Sequence, residues 1–317
     1  MEQIRRWEID KVLVGYEKRE LRVWGVRSLS SGYGWLAYRA AQAFPSHLSA
    51  DVWVMPPSDA SAVMSYIKQR GEILRWRDWK LCLCAVDGTE IPAGWKHSID
   101  EDFDGVILMV NHSGMGQKCP KYLGEFYPLP RTAFIPPPRR WEPPPHKVIG
   151  SVVTYHYRKG IDLLVSLIWR IYKKDPSVGF KLVLDPILKK MMVNGIPPTV
   201  EVLSGISDAD MVEFYLSLWA FISLSMGEGG ALPVAEAAFL GVPVITPNHT
   251  AFSCLPASVR VSCISQPAPI DAHFAGEMFI ADLREVEEVI LGAEVLPPPS
   301  GGSVKFESLD FLSALPL

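Results

Sequence analysis

The chain has 317 residues, 48% hydrophobic and 21% charged, with a formal net charge of −4. This balance describes a globular protein and excludes a disordered or collagen-like chain. The length exceeds one comfortable hydrophobic core, so two domains are expected.

Charge is divided unevenly. Up to Lys147 there are 20 Lys+Arg against 17 Asp+Glu, and beyond it 11 against 18. A mildly basic first half is compatible with an anionic partner. No stretch approaches the length of a membrane span, and the opening MEQIRRWEID lacks the apolar core of a signal peptide. Five cysteines (Cys82, Cys84, Cys119, Cys254, Cys263) show no CxxC spacing. A reduced, cytoplasmic setting is expected, with peripheral attachment to a membrane left open, and no zinc or other metal site.

In chain order, Leu21–Val26 reads as a strand. SSGYGWLAYRAAQAF then reads as a glycine loop feeding a helix. Asp51–Met55, Leu81–Val86 and Gly105–Val110 are further strand candidates, the last followed by His112 between apolar strand and glycines. His112 is a candidate acid, base or substrate contact. The proline cluster in 135–145 resists helix and sheet and is the expected domain boundary. Beyond it, Lys147–Thr154 reads as a strand. Gly160–Tyr172 reads as an amphipathic helix, with Leu163, Leu164, Leu167, Ile168 and Ile171 on one face. Phe180–Leu184 and Val200–Leu203 follow as strands, then a helix over Ser207–Leu218 opened by a cap-like Ser-Asp pair. Strands alternating with helices imply an α/β protein of two Rossmann-like parallel-sheet domains, facing across a cleft. The expected division is 1–145, 146–296 and a C-terminal tail at 297–317.

The most informative stretch is ISLSMGEGGALPVAEAAFLGVPVITP at 222–247. An apolar strand precedes it. Pro233 suits the first turn of a helix, Gly241 its C-terminal stop, and Val242–Thr246 a second strand. Glu228 therefore belongs to a loop beyond the carboxyl end of a strand, where open α/β sheets bind ligands. Gly229 and Gly230 permit close backbone approach, and the helix start favours an anion such as a phosphate. Glu228 and Glu236 must then face neutral hydroxyls, which carboxylates accept from strongly. Phosphates between hydroxyl-bearing rings describe a nucleotide-sugar.

GEGGALPVAEAAFLGVPVIT resembles the E-x7-E segment of family 4-like glycosyltransferases of the GT-B fold. The preceding VEVLSGISDADMVEFYLSLWAFISLSMGEG and the earlier KVIGSVVTYHYRKGIDLLVSLIWRIYK resemble that family's neighbouring elements, in family order over 147–292. SLSSGYGWLAYRAAQAF, EIPAGW, DFDGVILMVNHSGMGQ and RTAFIPPP match its first domain more loosely.

The resemblance implies a retaining, metal-independent transfer of a sugar from a UDP- or GDP-type donor, with no cofactor beyond that substrate. The donor would lie on the C-terminal domain and the acceptor on the N-terminal one. Carried over by position, Glu236 would hold the ribose hydroxyls. Glu228 would face the transferred sugar, with Gly229, Gly230, Ala231 and Leu232 beside it. Lys159 would neutralise the departing diphosphate, Gly205 and Ile206 would flank the base, and Ser31, Gly32 and Gly34 would approach the phosphates.

Two departures stand out. Ser151 occupies the place of an arginine after the strand glycine, and the Lys-Gly turn arrives about two residues late at Lys159-Gly160. Arg158 is therefore expected to share the charge with Lys159, since a lysine alone gives a point contact. The alternative reading is a nucleotide-sugar-binding or scaffold protein without turnover. A glycoside hydrolase is disfavoured because both carboxylates lie on one loop and its following helix. A glycan, a lipid-linked sugar, a protein side chain and a modified DNA base all remain open as acceptors.

Overall fold

The computed structural model describes residues 5–9, 13–26, 32–69, 77–192, 195–269, 271 and 273–315. It divides into two compact units. Unit 1 comprises 1–129, 268–276 and 304–317, and unit 2 comprises 130–267 and 277–303. The division therefore falls before the proline cluster, and the C-terminal segment returns to unit 1. Contacts distant in sequence accompany both. Trp141, inside the proline cluster, donates its indole N–H to Leu218 O in unit 2 at 2.9 Å. Glu307 binds Arg39 of unit 1 through two hydrogen bonds of 2.6 and 2.9 Å.

Unit 1 holds a seven-stranded sheet, β1 (Arg5–Ile9), β2 (Leu13–Lys18), β3 (Leu21–Val26), β4 (Ala50–Val54), β5 (Trp79–Cys84), β6 (Gly105–Leu108) and β7 (Tyr122–Glu125), whose strands lie side by side in chain order. β1, β2 and β3 pair antiparallel, and β3 through β7 pair parallel. The antiparallel β1 and β2, and β7, were not expected from the apolar pattern. Helices α1 (Gly32–Ala43), α2 (Pro57–Gln69), α3 (Ala93–Asp102) and the short α4 (Met115–Lys118) complete the unit.

The central strands are continuous apolar runs because both their faces are covered. On one face Trp24 and Trp53 stack with centroids 5.0 Å apart, packed in a core with Met64 of α2 and Trp95 of α3. On the other, α1 lies so close that a Cβ on Gly25 would collide with that of Ala37. Asp51 is fully buried within the sheet. It accepts hydrogen bonds from Arg22 Nη2 at 2.7 Å and Trp24 Nε1 at 3.0 Å, which offsets its desolvation.

Unit 2 is built on a six-stranded parallel sheet of β8 (Val148–Val153), β9 (Gly179–Leu184), β10 (Val200–Leu203), β11 (Ala220–Ile222), β12 (Val244–Pro247) and β13 (Val259–Val261). Its spatial order is β10-β9-β8-β11-β12-β13. A hairpin of β14 (Cys263–Pro267) and β15 (Glu277–Ala281) adjoins it. The helices are α5 (Ile161–Lys174), α6 (Pro186–Met192), α7 (Asp208–Leu216), α8 (Leu232–Phe239) and α9 (Leu283–Gly292).

α5 buries Leu164, Leu167, Ile168 and Ile171, the stripe its sequence spacing predicts. α7 opens with a reciprocal capping box between Ser207 and Asp210, satisfying two helix-end donors at once. Gly241, at φ +79°, follows α8 as its stop. Among the described residues no helix is long and apolar enough to cross a membrane.

Candidate active site

In unit 2 the chain leaves β8 towards β9 and β10, then returns to the far side of β8 to build β11 and beyond. This reversal makes the carboxyl ends of β8 and β11 a topological switch point, where the following loops diverge and leave a crevice. The loop after β8 carries Arg158 and Lys159, and the loop after β11 carries Glu228.

Lys159 Nζ lies 2.5 Å from Glu228 Oε1, and Arg158 Nη1 lies 3.4 Å from Glu228 Oε2. Arg158 also donates from Nη1 to Gly227 O at 2.8 Å. The backbone fixes this meeting. Met226 N and Ser225 Oγ both donate to Arg158 O, at 2.6 and 3.0 Å. Gly160, at φ +66°, turns the chain into α5 against the Leu224 carbonyl, with which any Cβ would collide.

A third segment grips Glu228 from the end of β12. Glu228 N donates to Thr250 Oγ1 at 3.1 Å, and Ala251 N donates to Glu228 O at 3.0 Å. His249 Nδ1 lies 2.9 Å from the same Thr250 hydroxyl, and its ring stacks on Phe279 at 4.6 Å. Thr250 at φ 40° and Ala231 at φ 48° hold left-handed backbone conformations. For a β-branched residue this is costly, and such strain persists only where surrounding contacts impose it.

The two glutamates have opposite electrostatics. Burial opposes ionisation of Glu228, but the Lys159 and Arg158 cations outweigh it and hold the carboxyl down at about 2. For Glu236, burial prevails and pushes the carboxyl up, against the charge of Arg131 and the hydrogen bond from Tyr215. Tyr215 Oη donates to Glu236 Oε2 at 2.8 Å, and Arg131 Nη1 lies 3.8 Å from Oε1. Oε1 itself is buried and, among the described residues, has no hydrogen-bond donor of good geometry.

The remaining predicted residues are distributed as follows. Gly229 and Gly230 are buried in the loop after Glu228, and Ala231 and Leu232 form the start of α8. Gly205, at φ +65°, and Ile206 lie in the turn after β10.

Ser151 does not present its hydroxyl as a donor towards a ligand. Ser151 Oγ donates to Ile222 O at 2.8 Å, from β8 to β11, and the residue is buried. Gly32 and Gly34 lie inside the first turn of α1 rather than in a preceding loop, and Ser31 lies outside the described residues. His112 belongs to unit 1, where its ring is buried with Nε2 2.7 Å from Val86 O. Burial lowers its pKa, and the contact with Val86 gives the ring a structural task between the ends of β5 and β6.

Sequence reasoning missed Arg131, Tyr215 and Thr250. Arg131 comes from a 3-10 turn 105 residues before Glu236, and no local pattern announces such a pairing.

Residues 139–254 match the glycosyl transferases group 1 family. The matched segment contains Arg158, Lys159, Glu228, Glu236 and Thr250. No curated protein matches the chain in sequence. The crystal structure of TarM is 13% identical with a TM-score of 0.53, over 89% of this chain and 56% of TarM. A UDP-forming α,α-trehalose-phosphate synthase from Burkholderia xenovorans is 11% identical with a TM-score of 0.51, over 77% of this chain and 65% of that one. A sucrose-phosphate synthase from Thermosynechococcus elongatus is 16% identical with a TM-score of 0.50, over 81% and 67%.

The chain thus spans little more than half the length of TarM. At these identities the likeness shows the fold, which is GT-B with two Rossmann-like domains. The family match lies within unit 2.

Proposed function

We propose that the protein is a retaining glycosyltransferase that takes a sugar from a UDP- or GDP-type donor seated at the switch point of unit 2, without a metal ion. The observation that carries this reading is the Arg158–Glu228–Lys159 cluster in the crevice between the loops after β8 and β11. Two cations converge there beside glycines and a helix start, an arrangement suited to a diphosphate. In one of the TarM structures the bound molecules include UDP.

In this reading the diphosphate takes over the two cations, and Glu228 turns to the hydroxyls of the transferred sugar. The bond from the anomeric carbon to the phosphate oxygen breaks, and its electron pair leaves with the diphosphate. Arg158 and Lys159 stabilise that developing charge, so the work of the site is chiefly electrostatic. The acceptor oxygen bonds to the same face of the anomeric carbon, and its proton passes to the leaving phosphate. The buried Oε1 of Glu236, which has no hydrogen-bond donor of good geometry among the described residues, suits a ribose hydroxyl as donor. On this reading unit 2 is the donor domain and unit 1 the acceptor domain.

The alternative of a binding protein without turnover was motivated by Ser151. Arg158 weakens that motive, because the position of its guanidinium 3.4 Å from the Glu228 carboxylate supports a role for it in place of the arginine. Incubating the purified protein with a panel of UDP- and GDP-sugars, without acceptor, separates the readings. The enzyme reading expects slow release of free sugar and nucleoside diphosphate from one donor, abolished by Glu228→Gln. Retention of a donor with no release from any would favour the binding protein.

A further inference from the structure

Charge within the second half of the chain is far from uniform. Residues 148–200 hold 8 Lys+Arg against 3 Asp and no Glu, whereas residues 201–317 hold 3 against 15 acidic residues. The basic stretch includes α5 and α6, and the outer faces of these helices combine that charge with exposed apolar side chains.

α6 turns Leu188 and Met192 into the core that α5 shares. The adjacent face leaves Ile187 57% and Met191 64% exposed, one helical turn apart, with the exposed Lys190 between them in sequence and Lys189 nearby. On α5, Trp169 is 38% exposed, with the exposed Lys173 one turn further on. Trp169 Nε1 donates to Gly195 O at 3.0 Å, which ties the indole to the turn beyond α6. Its polar atom is satisfied within the protein while part of its ring faces outward.

Arg170 and Lys174 share one ion-pair partner, Glu287 of α9. Among the described residues, Lys173, Lys189 and Lys190 form no ion pair. Exposed apolar surface rimmed by polar side chains marks a protein or membrane interaction site.

We infer that this α5–α6 face docks on an anionic phospholipid surface, with Ile187, Met191 and the Trp169 ring entering the headgroup boundary and Lys173, Lys189 and Lys190 facing acidic headgroups. The combination decides the partner. Lysines alone would suit any polyanion, nucleic acid included, but nucleic acid accepts side chains such as Ile187 and Met191 only at the cost of unstacking bases. A bilayer offers acidic headgroups and an apolar layer together. The start of α6 is tied to the loop after β8. Asp185 caps α6 through Oδ1 and accepts the Tyr155 amide through Oδ2, holding α6 beside the loop that carries Arg158 and Lys159. The inference does not require the glycosyltransferase reading.

Sedimentation of the full chain with vesicles tests it. Vesicles of phosphatidylcholine containing about one-third phosphatidylglycerol are expected to carry the protein down at low salt, and phosphatidylcholine alone is not. Raising the salt should release it. Ile187→Ser with Met191→Ser should weaken partitioning roughly tenfold, by removing the inserted side chains. Lys173→Glu with Lys190→Glu should do so by a similar roughly tenfold factor through charge. All four side chains are exposed, and an unchanged thermal melt verifies folding of each variant. Failure to bind the anionic vesicles, or binding that neither variant weakens, overturns the inference. So does retention on heparin without vesicle binding, which would identify a polyanion site instead.

Discussion

Glu228 and Glu236 stand eight positions apart in one segment, yet their environments push their carboxyls in opposite directions. The difference lies in the strength of the compensation. Glu228 has two cations within 3.4 Å, whereas Glu236 has one at 3.8 Å and a neutral hydroxyl. Tyr215 is therefore the direct hydrogen-bonding side chain for a buried carboxylate. Tyr215→Phe removes that donor while keeping the ring in its apolar surroundings. It is expected to lower unfolding free energy by about 1–3 kcal/mol, measured by urea denaturation at neutral pH. An unchanged midpoint would show that Arg131 alone compensates the charge.

The position of Glu228 in a loop beyond an apolar strand was legible in sequence, and a glutamate amid glycines there has no local structural task. Arg131, Tyr215 and Thr250 were not legible, since each reaches the site only through the fold.

At the scale of elements, the site depends on how closely the loops after β8 and β11 approach. Gly160 and Gly205 both sit near φ +65°, but an added Cβ collides with the Leu224 carbonyl at Gly160 and meets nothing within 4 Å at Gly205. Gly205→Ala should therefore carry only the left-handed backbone cost, about 1 kcal/mol. Gly160→Ala should carry that cost and also force the two loops apart, lowering the melting temperature further and weakening nucleotide binding. Equal melting temperatures for the two variants would contradict the close approach.

In unit 2, α5, β10 and α7 were readable because they have strong local signatures, an apolar stripe, a short β-branched run and a capping pair, whereas α6, α9 and β13 to β15 were not named. The hairpin β1–β2 and strand β7 were missed. β2 buries only Val14, Gly15 and Tyr16 before its polar end at Glu17 and Lys18, and β7 is a four-residue strand without a fully buried residue. Glycine also misled. SGYGW reads as a loop, yet Gly32 and Gly34 sit in the first turn of α1, and Gly34 is buried there.

For the whole molecule, alternation of strand and helix gave the α/β class and two sheets, but not where the chain divides. A proline cluster signals stiffness and carries no information about which unit it packs on. Trp141 and Glu307 decide that through contacts far away in sequence. The strand order of unit 2, with its reversal beside β8, is what brings Arg158, Lys159 and Glu228 together.

The central claim is that this crevice holds the diphosphate of a nucleotide-sugar. Calorimetric titration of the wild type and of a variant combining Arg158→Ala and Lys159→Ala with UDP and with GDP tests it most directly. The account predicts that one nucleotide binds the wild type, with an affinity that falls at least roughly tenfold in the variant through loss of two charge-assisted contacts. Absence of binding by either nucleotide, or equal affinity in both proteins, would contradict it.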